Sequence, residues 1–123
     1  MSKKNYNIVQ LLKITPNELA TWLEKNYLRD IPVSLETTEE MKEAGKMLGQ
    51  LTIDYSFLKT AATFANLAVR DAKRKKLEKN IIDDYISRRD LLDNFADITK
   101  AQYNAISRMA TVKKQVDDEI KMI

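Results

Sequence analysis

Apolar residues recur at steps of three and four through most of this chain. From Met41 the series runs through Ala44, Leu48, Leu51, Tyr55, Leu58, Ala62, Ala65, Val69 and Ala72 without a gap. A repeat of about 3.5 residues keeps one face of a helix apolar and suits it to pack along a second helix. "TTEE" at 37–40 marks the start: Thr37 and Glu40 make a capping box, and the acids favour the positive end of the helix. If this helix reaches Lys79 it is about 60 Å long at about 1.5 Å per residue.

A second series follows: Ile81, Tyr85, Leu92, Phe95, Thr99, Gln102, Ile106, Met109, Val116, Ile120 and Ile123, interrupted by Arg88 and Lys113. Asn80 with Asp83 reads as its cap. Two long helices joined by a short turn fold back antiparallel. The pattern therefore predicts an all-α protein, a long antiparallel two-helix coiled-coil hairpin over 38–123 with a short N-terminal helical segment packed against it. A turn near Asn80 sets Ala61, Ala62 and Ala65 beside Phe95, Ile98 and Ala101. Because no glycine or proline marks that turn, one continuous rod pairing with a second chain is the alternative.

Residues 1–37 form the N-terminal segment and linker of what is one domain overall. "TPNE" at 15–18 places Thr15 as N-cap, Pro16 at the first helical position and Glu18 three residues after the cap. A helix from about Pro16 to Leu28 presents Leu19, Trp22 and Leu23 inward, and "RDIPVSLET" at 29–37, with Pro32, is the linker. This segment has work to do. At about 100° per residue, Ile53, Phe57, Phe64 and Ala68 lie nearly opposite the Leu48–Ala62 stripe, and a two-helix hairpin can bury only one of these faces. Leaving them bare forgoes about 1.5–3 kcal/mol per large side chain. The expected cover is Ile8, Val9, Leu11 and Leu12 with Leu19, Trp22 and Leu23; the other cover is a second copy or a foreign protein, which makes these four residues a protein interface. The second long helix carries Asp83, Asp90 and Asp97 outward, beside Asp93 and Asn104, as a solvated face.

Composition narrows the chemistry. The chain has neither cysteine nor histidine, which removes disulfides, thiolate metal sites, Ser-His-Asp or Cys-His arrangements and the usual general base near neutral pH. Gly45 and Gly49 lie inside the long helix and read as a close helix contact rather than a phosphate cradle. Asp83, Asp90, Asp93 and Asp97 read as solvation and ion pairing, for example Arg89 with Asp93, rather than as a metal site. Asp117, Asp118 and Glu119 oppose the helix dipole at the far end. The expectation is a non-enzyme with no cofactor and no metal. The start "MSKKNYNIVQLLKI" lacks an apolar core and cleavage site for a signal peptide, and no window has the roughly 18 uncharged apolar residues of a spanning helix. A soluble protein without a membrane partner is expected.

Net charge is +3, but it is unevenly placed: residues 38–79 hold nine bases against six acids, and residues 80–123 seven against eight. "RDAKRKKLEKN" at 70–80 concentrates the excess. Bases end a helix favourably, so a solvated tip is one reading. The other is a site for nucleic acid or an acidic partner made by Arg70, Lys73, Arg74, Lys75, Lys76 and Lys79, with Arg88 and Arg89 across the turn. No aromatic stands among them to stack on bases, so phosphate contact there is sequence-independent and salt-sensitive.

Residues 82–122, about a third of the chain, and above all "RRDLLDNF" and "KAQYNAISRMATVKKQ", resemble the C-terminal part of small helical proteins encoded in early regions of phages and prophages of low-GC Gram-positive bacteria. The resemblance implies a virus-derived accessory protein acting in the bacterial cytoplasm on a replication, recombination or defence system, an anti-defence inhibitor being one form, and it supplies no catalytic residues. The expected function is thus non-enzymatic: binding and modulating a host or phage macromolecular machine through a protein partner. The alternatives are a nucleic-acid-binding accessory protein using the basic tip, and a structural helical oligomer paired through Ile53, Phe57 and Phe64.

Overall fold

A computed structural model describes residues 6–31 and 35–122; Pro32 in the linker, the lysines before Tyr6 and Ile123 lie outside them. Four helices follow in order: α1 (Ile8–Leu11), α2 (Pro16–Tyr27), α3 (Thr38–Arg74) and α4 (Lys79–Met122). Among the described residues there is no strand. Side-chain N-caps explain three of the starts, two of them as full capping boxes. Asn7 with Gln10 begins α1, Thr15 accepts from the Glu18 amide at α2, and Thr37 with Glu40 begins α3. Only the first was not anticipated.

α3 and α4 form the antiparallel hairpin, and the predicted stripe of α3 is its seam. Ala44, Leu51, Leu58, Ala62, Ala65, Val69 and Ala72 are buried. On α4 the seam is Arg88, Leu92, Phe95, Ala96, Thr99 and Ile106. The expected neighbours Ile98 and Ala101 are instead exposed, because at about 100° per residue they fall well off the direction shared by Leu92, Phe95 and Thr99.

The reversal comes earlier than Asn80, and it has a definite construction. Lys75 caps α3, and Lys76 adopts φ 56°, the left-handed conformation. The Lys76 amide then bonds the Lys73 carbonyl and the Leu77 amide reaches the Ala72 carbonyl, at 3.1 Å each. These are the two hydrogen bonds of a Schellman ending, which usually uses glycine. A lysine fills the role here, which is why no glycine announced the turn. α4 begins at Lys79, and among the described residues the Asn80 side chain accepts only from the neighbouring Ile81 amide.

The N-terminal segment packs across the hairpin. Leu11, Leu19 and Leu23 are buried against Leu58, Ala61, Ala62, Ala65, Leu92, Phe95 and Ala96 in one cluster. Arg88 Nε donates to the Ile14 carbonyl at 2.8 Å, and Gln102 Nε2 donates to the Arg29 carbonyl at 3.0 Å. α2 therefore runs in the direction of α4 and against α3. A second cluster, Leu35, Ala44, Leu51 and Ile106, closes the open end of the hairpin.

Candidate functional site

The hairpin apex carries the six predicted bases in unequal states. Arg74 Nη2 and Lys75 Nζ reach the Asp71 carboxylate at 2.6 and 3.0 Å. Hydrogen bonds from Lys75 and from Arg74 hold that carboxyl below the usual carboxylate range. Arg70, Lys73, Lys76 and Lys79 are exposed, and none of them is ion-paired among the described residues. The left-handed turn at Lys76 projects a base where a glycine would leave bare backbone.

Arg88 and Arg89 do not join this cluster. Arg88 is only 9% exposed; its guanidinium lies 5.1 Å from the Tyr85 ring centroid and is tied to Ile14. A base so placed is a strut for the N-terminal segment and is withdrawn from any phosphate. Arg89 bonds Asp90 at 3.1 Å and Asn66 at 3.4 Å, rather than the expected Asp93. The apex is thus four unpaired and two paired bases.

The second apolar face is divided. Phe57 is partly covered, its ring stacked 6.2 Å from Tyr27 at an interplanar angle of 8°, and Tyr27 continues edge-on to Trp22 and Trp22 to Tyr6. Ala68 is half-buried. Ile53 is 64% exposed and Phe64 49%, and Leu67, not singled out by the pattern, is 51% exposed beside them. The N-terminal segment covers one flank of this face and leaves the other bare. Val9, expected to cover it, points outward.

Gly45 and Gly49 do not mediate a contact inside the chain: a Cβ at either position meets nothing within 4 Å. At the open end of the molecule α4 outlasts α3, 44 residues against 37, and Val112 and Val116 line an open groove of about 430 Å³ with Leu35 and Met109.

One polar cluster escaped the sequence. Asp54 is 3% exposed and accepts from Arg29 Nε at 2.7 Å and from Gln50 Nε2 at 2.8 Å. Nearby, burial first and then the Asp54 charge push the Tyr27 phenol up to about 12, against the lowering effect of Arg29. The readable signal was an acid at helical spacing with Phe57 and Ala61 on an otherwise apolar face; its partner, 25 residues earlier, was not readable. This cluster fastens the linker to α3 and is structural in character.

Among the described residues no group of three acids is placed to hold a metal ion, and no helix is long and apolar enough to cross a membrane. Compared with protein-family models, curated proteins and solved structures, the chain matches none of them.

Proposed function

We propose that this chain is a non-catalytic accessory protein that modulates a larger macromolecular assembly by occupying an anionic surface of it with the hairpin apex. The observation that supports this reading is the set of four exposed, unpaired bases, Arg70, Lys73, Lys76 and Lys79, gathered around one tight turn. A merely solvated helix end needs no base in a strained left-handed position. Withdrawal of Arg88 and Arg89 from the apex leaves a footprint small for a nucleic-acid reader, and the absence of stacking aromatics there leaves it without base recognition. A compact acidic surface suits such a footprint. Following the resemblance to phage early-region proteins, we take that assembly to be a replication, recombination or defence machine.

Two polyanions test the reading: poly-glutamate and a mixed-sequence oligonucleotide, each titrated at two salt concentrations onto the wild type and a variant with Arg70, Lys73, Lys76 and Lys79 changed to glutamine. Salt-sensitive poly-glutamate binding that the variant loses supports the acidic-surface reading. An oligonucleotide salt slope that shrinks in the variant by about 0.7–0.9 per lost phosphate contact transfers the function to nucleic acid. Equal, negligible binding of both probes by both proteins refutes the apex as a contact point.

A further inference from the structure

The outward face of α3 has the composition of an interface rather than of a solvated helix. Between Met47 and Val69 the only charged residues are Asp54 and Lys59, and Asp54 is buried. What remains exposed is Gly49, Gln50, Thr52, Ile53, Ser56, Lys59, Thr60, Thr63, Phe64 and Leu67, with Lys59 the one exposed charge of this stretch. In a chain that is 32% charged, this is a local depletion of the kind found at interface centres. The outside of α4, with Asp83, Asp90 and Asp97 exposed, shows what an ordinary wet face of this protein looks like.

Two glycines extend the same face. Gly45 and Gly49 weaken the interior of α3 relative to alanine, and no neighbour in the chain requires their missing side chains. On a wheel at about 100° per residue they share a direction with Ser56, Thr60 and Leu67, away from α4. Their use is therefore external.

Charge decides the occupant. The face ends in Glu39 and Lys42 on one side and in Asp71 and Arg74, which also bond each other at 2.6 Å, on the other, the four spread over about 100° of the helix surface. Laid antiparallel on a copy of itself, α3 meets these with opposite signs: Lys42 faces Asp71 of the second copy and Glu39 faces its Arg74. The same register sets Phe64 over Gly49 and Ile53 over Thr60, large against small in each case. A parallel pairing puts every charge against its like, which disfavours it. We infer that the outer face of α3 is a homodimer surface, two copies pairing antiparallel about Ser56 with Phe64 of each seated on Gly49 of the other.

The contact is about 33 Å long, from Gly45 to Leu67, and about 10 Å wide. Such a strip, about 330 Å² per copy, is below what stable specific interfaces bury, so the dimer is a weak one whose formation depends on concentration. Antiparallel pairing also sets the two basic apices about 55 Å apart, at opposite ends of the dimer. The inference rests on the α3 face alone and stands whether or not the apex binds a polyanion.

Sedimentation velocity from low micromolar to near-millimolar protein, with circular dichroism on the same samples, tests it. Expected is a concentration-dependent shift from monomer to dimer in the wild type. Gly49→Leu, whose added Cβ meets nothing within 4 Å in the monomer, keeps full helicity and raises the dimer dissociation constant at least tenfold. Because the chain has no cysteine, Ser56→Cys places a single thiol beside the two-fold axis and oxidises readily to a covalent dimer, whereas Asp97→Cys on α4 does not. A wild type that stays monomeric throughout the range, a folded Gly49→Leu that dimerises unchanged, or equal cross-linking from positions 56 and 97 overturns the inference.

Discussion

Arg29 donates its Nε hydrogen to Asp54 across 2.7 Å, joining the end of the N-terminal segment to the middle of α3. The acid is almost fully buried while the arginine side chain is 32% exposed. Removing the arginine strands a buried carboxylate with only Gln50 as a donor. Arg29→Ala is expected to cost about 2–3 kcal/mol, read as a lower urea midpoint. Replacing both partners, Asp54→Leu with Arg29→Met, recovers most of that loss, since two apolar groups leave no unpaired charge. A double variant as unstable as the single one contradicts this account.

Tyr27 makes stability depend on alkaline pH. Its phenol ionises near 12 in the folded chain against 10.0 for the ordinary group. The folded state thus holds its proton longer than the unfolded state, so the contribution is whole below pH 10 and is lost as pH rises towards 12. The slope is at most about 1.4 kcal/mol per pH unit, reduced because Tyr27 is only partly buried. Urea midpoints at pH 9, 10 and 11 should fall more steeply for the wild type than for Tyr27→Phe; parallel curves rule the effect out.

Lys76 holds a left-handed backbone that glycine adopts without strain. Lys76→Gly should stabilise the hairpin by about 1 kcal/mol, and Lys76→Val should destabilise it by at least as much. Thermal midpoints decide; a loss of stability with glycine shows that the side chain, rather than the backbone, governs the turn.

Arg88 ties α4 to the Ile14 carbonyl. Arg88→Ala should cost about 1.5–3 kcal/mol, with the effect concentrated in the N-terminal segment. Hydrogen exchange should quicken first at Leu11, Leu19 and Leu23, while the Leu51 and Ile106 region stays protected. Uniform quickening throughout the chain identifies a global rather than a local defect.

Much of this architecture is written locally. The caps at Thr15 and Thr37 and the seam from Ala44 to Ala72 follow from side chains three and four residues apart, which are neighbours on any helix, so short-range spacing suffices to find them. The turn was harder. Left-handed backbone usually calls for glycine, and a lysine supported by the two hydrogen bonds at the end of α3 carries no such mark.

The basic cluster shows where spacing stops being informative. Arg88 and Arg70 look alike in the sequence, yet one braces the interior and the other meets water, because Arg88 finds a carbonyl 74 residues away. The same holds for Asp54, whose burial depends on Arg29 arriving from the linker. Short-range periodicity by itself determined an all-helical hairpin with an apolar seam, since helix geometry repeats every few residues. Only the tertiary structure decided which charges are spent inside and which apolar residues stay bare: the cost of burying an ion depends on partners brought in from distant positions.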